Sequence, residues 1–193
     1  MRIDNFDITA PAILGGTFSE AETLGSIVWL WMHSPTHREA PLQVLSTLLL
    51  PAIKTGQFVL VVENGKPIFF LSWANMNEEA ESRYLNNPPH CMQEADWASG
   101  ERMWILDWIA PFGHSHKMIH LLKRHLSGQR WMRYLHHRGN ERGLRVKTFK
   151  GIGVMPEEAR FWFETHPVAA LHSNHRAHSN DFIHTTTEGK SKP

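Results

Sequence analysis

Cysteine is almost absent: the 193-residue chain has one, Cys91. A disulfide framework and any multi-cysteine zinc site are therefore excluded. Long apolar runs are missing as well. The best, Leu48-Leu49-Leu50-Pro51-Ala52-Ile53, is short and holds a proline, against the roughly 18 residues of a membrane span. The N-terminus carries Asp4 and Asp7 where a secretory leader needs positive charge and an apolar run. The chain reads as soluble and cytoplasmic. It also lacks a net charge of one sign, with Lys+Arg 20 against Asp+Glu 19, a formal +1. What it does have is 41% hydrophobic residues, 14 histidines and 8 tryptophans. That apolar fraction excludes a disordered or fibrous chain, and the length suits one core with at most an appendage.

The small net charge conceals an uneven distribution. Between residues 111 and 150 stand Lys117, Lys123, Arg124, Arg130, Arg133, Arg138, Arg142, Arg145, Lys147 and Lys150 against the single acid Glu141. That segment therefore carries +9 and the remainder −8. A lobe of this kind is either a solvated face or a surface for an acidic partner: phosphate, nucleic acid or an acidic protein.

Apolar periodicity places the elements. Residues 1–19 are punctuated by Pro and Gly and read as a lead-in arm. Leu24, Ile27, Val28 and Trp31 recur at helical spacing, up to a stop at His33-Ser34-Pro35. A second helix is expected from Pro41, presenting Leu42, Leu45 and Leu49 and ended or kinked by Pro51. Two strand-like runs, 57–62 and 67–73, flank Asn64-Gly65, a pair suited to a type I′ hairpin turn. A short helix over 78–85, a strand over 103–110, a loop over 111–116 and a helix presenting Met118, Leu121, Leu122 and Leu126 follow. A strand over 145–149 and a helix over 156–164 complete the order. The expectation is a mixed α/β (α+β) sheet domain. Beyond about residue 172 the composition turns to His, Ser, Asn, Thr and Lys, a frayed tail. Its histidines, with His166, lack cysteine or regular helical pairing, and no metal site is assigned to them.

Two residues draw attention as chemistry. Asp107 lies inside Trp104-Ile105-Leu106-Asp107-Trp108-Ile109, where a carboxylate is costly unless paired or hydrogen-bonded. Strand alternation places it with Ile105 and Ile109. It either accepts backbone N–H bonds structurally or orients and charge-stabilises a histidine. His37 follows the break Ser34-Pro35-Thr36 directly after an apolar helix. It is either a surface residue of that corner or a histidine reaching into a cleft.

Several motifs occur in order: Trp29-Leu30-Trp31-Met32-His33-Ser34-Pro35-Thr36-His37-Arg38, Leu50-Pro51-Ala52-Ile53, Ser72-Trp73-Ala74-Asn75, Tyr84-Leu85, Ser99-Gly100-Glu101-Arg102 and Asp107-Trp108-Ile109-Ala110-Pro111-Phe112-Gly113. This set resembles the RTX toxin-activating lysine acyltransferases, densely over residues 22–113 and more weakly through 145–151. The chain departs from the family pattern at Ala40-Pro41, where an aromatic-proline pair is usual, and at Phe69-Phe70-Leu71 before Ser72. The resemblance implies a single domain similar to Gcn5-type N-acetyltransferases, a central mixed sheet flanked by helices. It would span residues 20–165, between the arm and a His-rich tail at 166–193.

The resemblance further implies transfer of a fatty acyl group from acyl carrier protein to internal lysines of an RTX protoxin. His37 and Asp107 match the catalytic pair, and Ser34 a supporting residue. In this reading neutral His37 takes a proton as the lysine amine attacks the thioester, and Asp107 fixes the imidazole tautomer as in a triad. Backbone N–H groups near residues 107–110, or Ser34, would meet the oxyanion. A covalent acyl-histidine route stays open beside direct transfer. The basic lobe becomes the carrier's docking site, with Gly113, His114 and Ser115 at a helix N-terminus for the phosphopantetheine phosphate. Lys117, Lys123 and Arg124 would face the carrier. The donor is the acyl-phosphopantetheine thioester, with no bound cofactor and no metal, and a homodimer is allowed. Two other readings stand beside it: a Gcn5-like enzyme using acyl-CoA, and a nucleic-acid-binding module using the lobe with Trp131 and Tyr134.

Overall fold

A computed structural model describes residues 1–128, 130–136 and 145–169. Its centre is a seven-stranded sheet in the order β1-β2-β3-β4-β5-β6-β7. Residues 1–19 are not a loose arm. β1 (Arg2–Ile3) and β2 (Phe6–Thr9) extend the sheet at β3, burying Phe6 and Ile8, and α1 (Pro11–Leu14) follows. Four residues of β2, with two inward positions, are too few for a period-2 pattern to stand out.

α2 (Glu20–Met32) starts at Ser19, whose side chain accepts from the Glu22 N–H, and it buries Thr23, Ile27, Leu30 and Trp31. Pro35 stops it. The chain then folds tightly back, with the His37 and Arg38 N–H groups both donating to the Ser34 carbonyl. The expected second helix is divided into a 3₁₀ turn (Leu42–Val44), α3 (Leu45–Leu48) and α4 (Leu50–Thr55). Pro51 sits in the first turn of α4, where its missing N–H costs nothing. β3 (Phe58–Glu63) and β4 (Lys66–Met76) form the expected hairpin, and Asn64 and Gly65 both take positive φ as a type I′ turn requires.

α5 (Glu78–Asn86) leads through two 3₁₀ turns to β5 (Arg102–Ile109), which pairs antiparallel with β4. α6 (Ser115–Leu121) runs into a π-helical turn, Leu122–Leu126. β6 (Trp131–His136), absent from the sequence reading, lies parallel to β5, the one parallel pair among the described strands. Its buried Arg133 and half-buried aromatics disguise any alternation. β7 (Arg145–Lys150) closes the sheet antiparallel to β6, and α7 (Pro156–Thr165) follows. No helix among the described residues is long and apolar enough to cross a membrane.

The two sheet faces carry separate cores. Leu71, Trp73, Met103 and Ile105 pack with Met118, Leu121 and Leu122 of the α6 side. Ala74, Met76, Trp104 and Leu106 pack with Tyr84 and Leu85 of α5, and Phe70 and Ile109 with Ile27 and Leu30 of α2. Beyond β7, Gly151 passes so close to the carbonyls of Ser127 and Gly128 that a Cβ there would collide with them. The Ile152 N–H donates to the Lys123 carbonyl, fastening the π turn to the end of β7.

One polar hub crosses the second core. Glu81, fully buried, accepts from Arg102 (2.7 Å), Trp104 Nε1 (2.8 Å), Arg133 (2.9 Å) and the Ala169 N–H (3.0 Å). Arg102 and Arg133 also donate to the carbonyls of Pro167 and His166, so the hub binds the segment after α7 to the sheet. Burial lowers the Arg133 pKa from its usual value, with Arg102 adding to this and Glu81 opposing it. The start of the expected tail, residues 166–169, is thus fixed: Val168 and Ala169 pack on the α5 core and His166 Nε2 lies 2.9 Å from Glu101. The remaining tail histidines, His172, His175, His178 and His184, lie outside the described residues. Replacing a buried charge partner leaves its arginines uncompensated. Glu81→Gln is therefore expected to cost about 3 kcal/mol of stability, read as a lower urea midpoint; an unchanged midpoint would show the hub to be dispensable.

Candidate active site

The site forms where the turn after α2 meets the middle of the β4–β5 pair. Ser72 lies opposite Asp107, yet the next residue, Trp73, lies opposite Ile105. Leu106 is therefore an extra residue, a β-bulge, and it shifts the side-chain alternation by one. Ile105 faces the α6 core while Ile109 faces α2. The expectation that Ile105, Asp107 and Ile109 share a face is corrected: Asp107 stands with Ser72 and Ile109 on the α2 face.

There Asp107 meets His37. Both are buried, and His37 Nε2 is 3.7 Å from Asp107 Oδ1, beyond hydrogen-bond length. On the other side of the ring, Nδ1 lies 2.7 Å from Ser34 Oγ and 2.9 Å from Thr36 Oγ1. Those hydroxyls are 3.0 Å apart. Trp31 packs against the imidazole at 5.0 Å between ring centroids. Ser72 Oγ donates to Asp107 Oδ2 at 3.0 Å. His37 Nε2 has no hydrogen-bond partner. In a triad the aspartate sits behind the histidine and its far nitrogen works. Here two hydroxyls hold the back of the ring and Asp107 stands at the front.

Thr36 and Ser72 were missed by sequence reasoning as members of the site. Thr36 adjoins His37 in the corner after α2, and Ser72 opens the Ser-Trp-Ala-Asn motif, but nothing in either local pattern gives the hydroxyl a role.

Beside this pair the sheet opens. β6 pairs with β5 only at Trp104–Arg133 and Ile105–Tyr134, so residues 106–109 have no ladder partner on that edge. A cleft of about 500 Å³ fills the divergence. Ile105, Leu106, Trp108, Ile119 and Tyr84 give it apolar lining, and Lys123, Tyr134, Lys147 and Lys150 add polar groups. Ile105 and Trp108 belong to the α6 face and Leu106 and Tyr84 to the α5 face, so the cleft reaches both sides of the sheet.

The residues expected to bind the donor divide. Ser115 and Lys123 line the cleft, whereas Gly113, His114, Lys117 and Arg124 do not. Ser115 Oγ accepts from Trp108 Nε1 at 3.2 Å, Gly113 takes φ +82°, and His114 Nε2 lies 3.6 Å from Glu63. Arg133, counted with the basic lobe, is buried in the Glu81 hub, and Trp131 packs on Trp162 at 5.7 Å. A nucleic-acid surface loses two of its parts this way. Among the described residues no group of three or more His, Cys, Asp or Glu is placed to hold a metal.

Residues 16–150 match the HlyC family, the RTX toxin acyltransferases. The chain belongs to that family. It is 44% identical over 140 residues to the protein-lysine myristoyltransferase RtxC of Kingella kingae, covering 72% of this chain and 75% of that protein. The leukotoxin-activating lysine-acyltransferase LktC of Pasteurella haemolytica-like sp. (strain 5943B) is 36% identical over 143 residues, 74% of this chain and 86% of LktC. The RTX-I toxin-activating lysine-acyltransferase ApxIC of Actinobacillus pleuropneumoniae is 50% identical over 94 residues, 49% of this chain and 54% of ApxIC. The family match contains His37, Asp107 and the cleft, and it ends before α7.

Ser72→Ala removes the hydroxyl that donates to the buried Asp107 carboxylate. The expected loss is about 2 kcal/mol, measured by chemical denaturation with the far-ultraviolet spectrum unchanged. Stability equal to the parent would show that the bond contributes nothing.

Proposed function

We propose that this chain moves a fatty acyl group from the phosphopantetheine thioester of acyl carrier protein to lysine ε-amines of an RTX protoxin. The observation that carries this reading is the opposed pair, His37 Nε2 and Asp107 Oδ1, 3.7 Å apart with Nδ1 already occupied. A lysine ammonium brought up to the pair is attracted by the carboxylate and meets a buried imidazole nitrogen that has no hydrogen-bond partner. At 3.7 Å the two atoms exceed a direct bond yet leave no room on the line between them. An ammonium nitrogen within hydrogen-bond distance of both therefore bridges them from the side.

The chemistry follows from that position. The ammonium gives up one proton to become nucleophilic, with Asp107 holding it in place. Its nitrogen attacks the thioester carbon, and the C–N bond forms as the C=O bond becomes an oxyanion. His37 takes the second proton from that nitrogen. The intermediate then expels the thiolate, and the imidazolium returns the proton to sulfur. The balance is one amide, one thiol and one proton released to solvent. Ser34 and Thr36 keep the ring from rotating as its charge changes. The unpaired edge of β5 beyond Ile105 offers backbone N–H groups to the oxyanion.

The cleft supports the donor assignment. A linear thioester arm can enter from the α6 side and pass between β5 and β6, with its reactive carbon beside Asp107 on the α2 face. Donor and acceptor then approach from opposite sides of the sheet. Lys117, Lys123 and Arg124 on and after α6 suit an acidic carrier protein. We place the reaction in the cytoplasm, with acyl carrier protein and protoxin as partners. The steps assigned to these residues use no resident cofactor.

His37→Ala and Asp107→Asn are each expected to lower transfer at least 10²-fold. The measurement is mass-spectrometric acylation of the protoxin from acylated carrier, with melting temperature as the control for folding. A fully active His37→Ala protein would remove the assignment. Reversing charge at Lys123 and Arg124 is expected to raise the KM for carrier about tenfold at low salt and less at high salt. A KM insensitive to both charge and salt would end the docking idea.

A further inference from the structure

Three strands place one row of side chains across the α6 face of the sheet. Ile105 of β5 stands beside Tyr134 of β6, and Tyr134 stands directly opposite Lys147 of β7. Phe149, two residues along β7 on the same face, packs into the α6-side core, and Lys123 Nζ lies over its ring at 5.4 Å. All five side chains line the same cleft. The two ammonium groups therefore belong to the β7 side of the cleft, with the Tyr134 phenol on the strand between them and β5. Burial pushes the Tyr134 phenol pKa up, so it keeps its proton and serves as a donor. Lys150 differs from Lys147: it donates to the Val154 carbonyl at 3.0 Å.

We infer that Lys147, with Lys123 and Tyr134, forms the subsite for the phosphate ester of the donor's pantetheine arm. The inference rests on the acyl-transfer reading above and assigns that phosphate to β7 and the π turn, away from the N-terminus of α6. Two cations and a hydroxyl match a phosphate's charge and acceptor oxygens. His114 at the start of α6 instead lies beside the Glu63 carboxylate, and Ser115 is engaged by Trp108.

The reach agrees. Lys147 is two strand spacings and two residues along from Asp107, roughly 12 Å between backbones. A pantetheine arm has two amide units in series, comparable in reach to four or five extended residues, roughly 15 Å. Lys147 and Asp107 face opposite sides of the sheet, so the path exceeds the backbone separation. A phosphate held by Lys147 and Lys123 delivers the thioester to Asp107 and His37 with the arm close to fully extended. The cleft is polarised accordingly, cationic where the phosphate sits and apolar along β5. The arm has one productive direction.

The test is calorimetric binding to the full chain of two unreactive probes, S-decyl-phosphopantetheine and S-decyl-pantetheine. The phosphorylated probe should bind roughly tenfold tighter, and less so as salt rises. Lys147→Gln should abolish that preference and leave the phosphate-free probe unaffected, and Lys147→Arg should keep it. A parent protein with no preference, or a Lys147→Gln protein with the full preference, overturns the subsite.

S-alkylated carrier protein and S-decyl-CoA then separate the two sources of the phosphate. A Lys147→Gln penalty on either or both supports the subsite and names its source, and a penalty on neither overturns it. These readouts involve no turnover. A fully active His37→Ala enzyme would undo the catalytic reading and leave them intact.

Discussion

β5 has one more residue than β4 between Ser72–Asp107 and Trp73–Ile105, and that mismatch organises the site. Side chains alternate strictly along a strand, so without Leu106 as an extra residue Asp107 would face α6 and miss His37 by the thickness of the sheet. With it, a carboxylate in an apolar strand lies on the face that carries the turn after α2, opposite a serine that donates to it. The bulge also lies next to the point where β6 leaves β5. Chemistry and cleft thus share one stretch of backbone.

The second constraint is the Glu81 hub. It joins α5, β5, β6 and the segment after α7 through one buried carboxylate and two buried arginines. Charges so placed are expensive singly and tolerable together. Arg133 sits one residue before Tyr134 in β6, at the base of the divergence. A strand parallel to β5 for only two residue pairs has little ladder to hold it. The hub supplies what that ladder lacks, and it leaves the outer half of the strand free to line a cleft.

Much of the fold was legible because local rules governed it. The α2 periodicity, the Asn64-Gly65 turn, the Pro51 break and the last helix each depend on residues adjacent in the chain. β1, β2 and β6 were not legible. Two are very short, and the third buries an arginine where an apolar residue would signal a strand. In sequence the basic segment is one charged lobe, yet Arg133 turns inward and Lys147 and Lys123 converge on a cleft. Charge counts carry no direction.

For the site, sequence order alone singled out the corner Ser34-Pro35-Thr36-His37 and the acid in an apolar strand, because a helix stop and an uncompensated carboxylate are local facts. Which side of His37 the acid takes, which hydroxyls hold the ring, and that Ser72 belongs to the site were decided only by tertiary structure. The hydroxyls are the ring's own chain neighbours, brought onto Nδ1 by the fold of the turn. The acid's side and the place of Ser72 depend on strand register between segments 35 residues apart. Register follows from how two faces pack, which no single segment encodes. The motifs drew attention to His37 and Asp107; the bulge sets them facing one another.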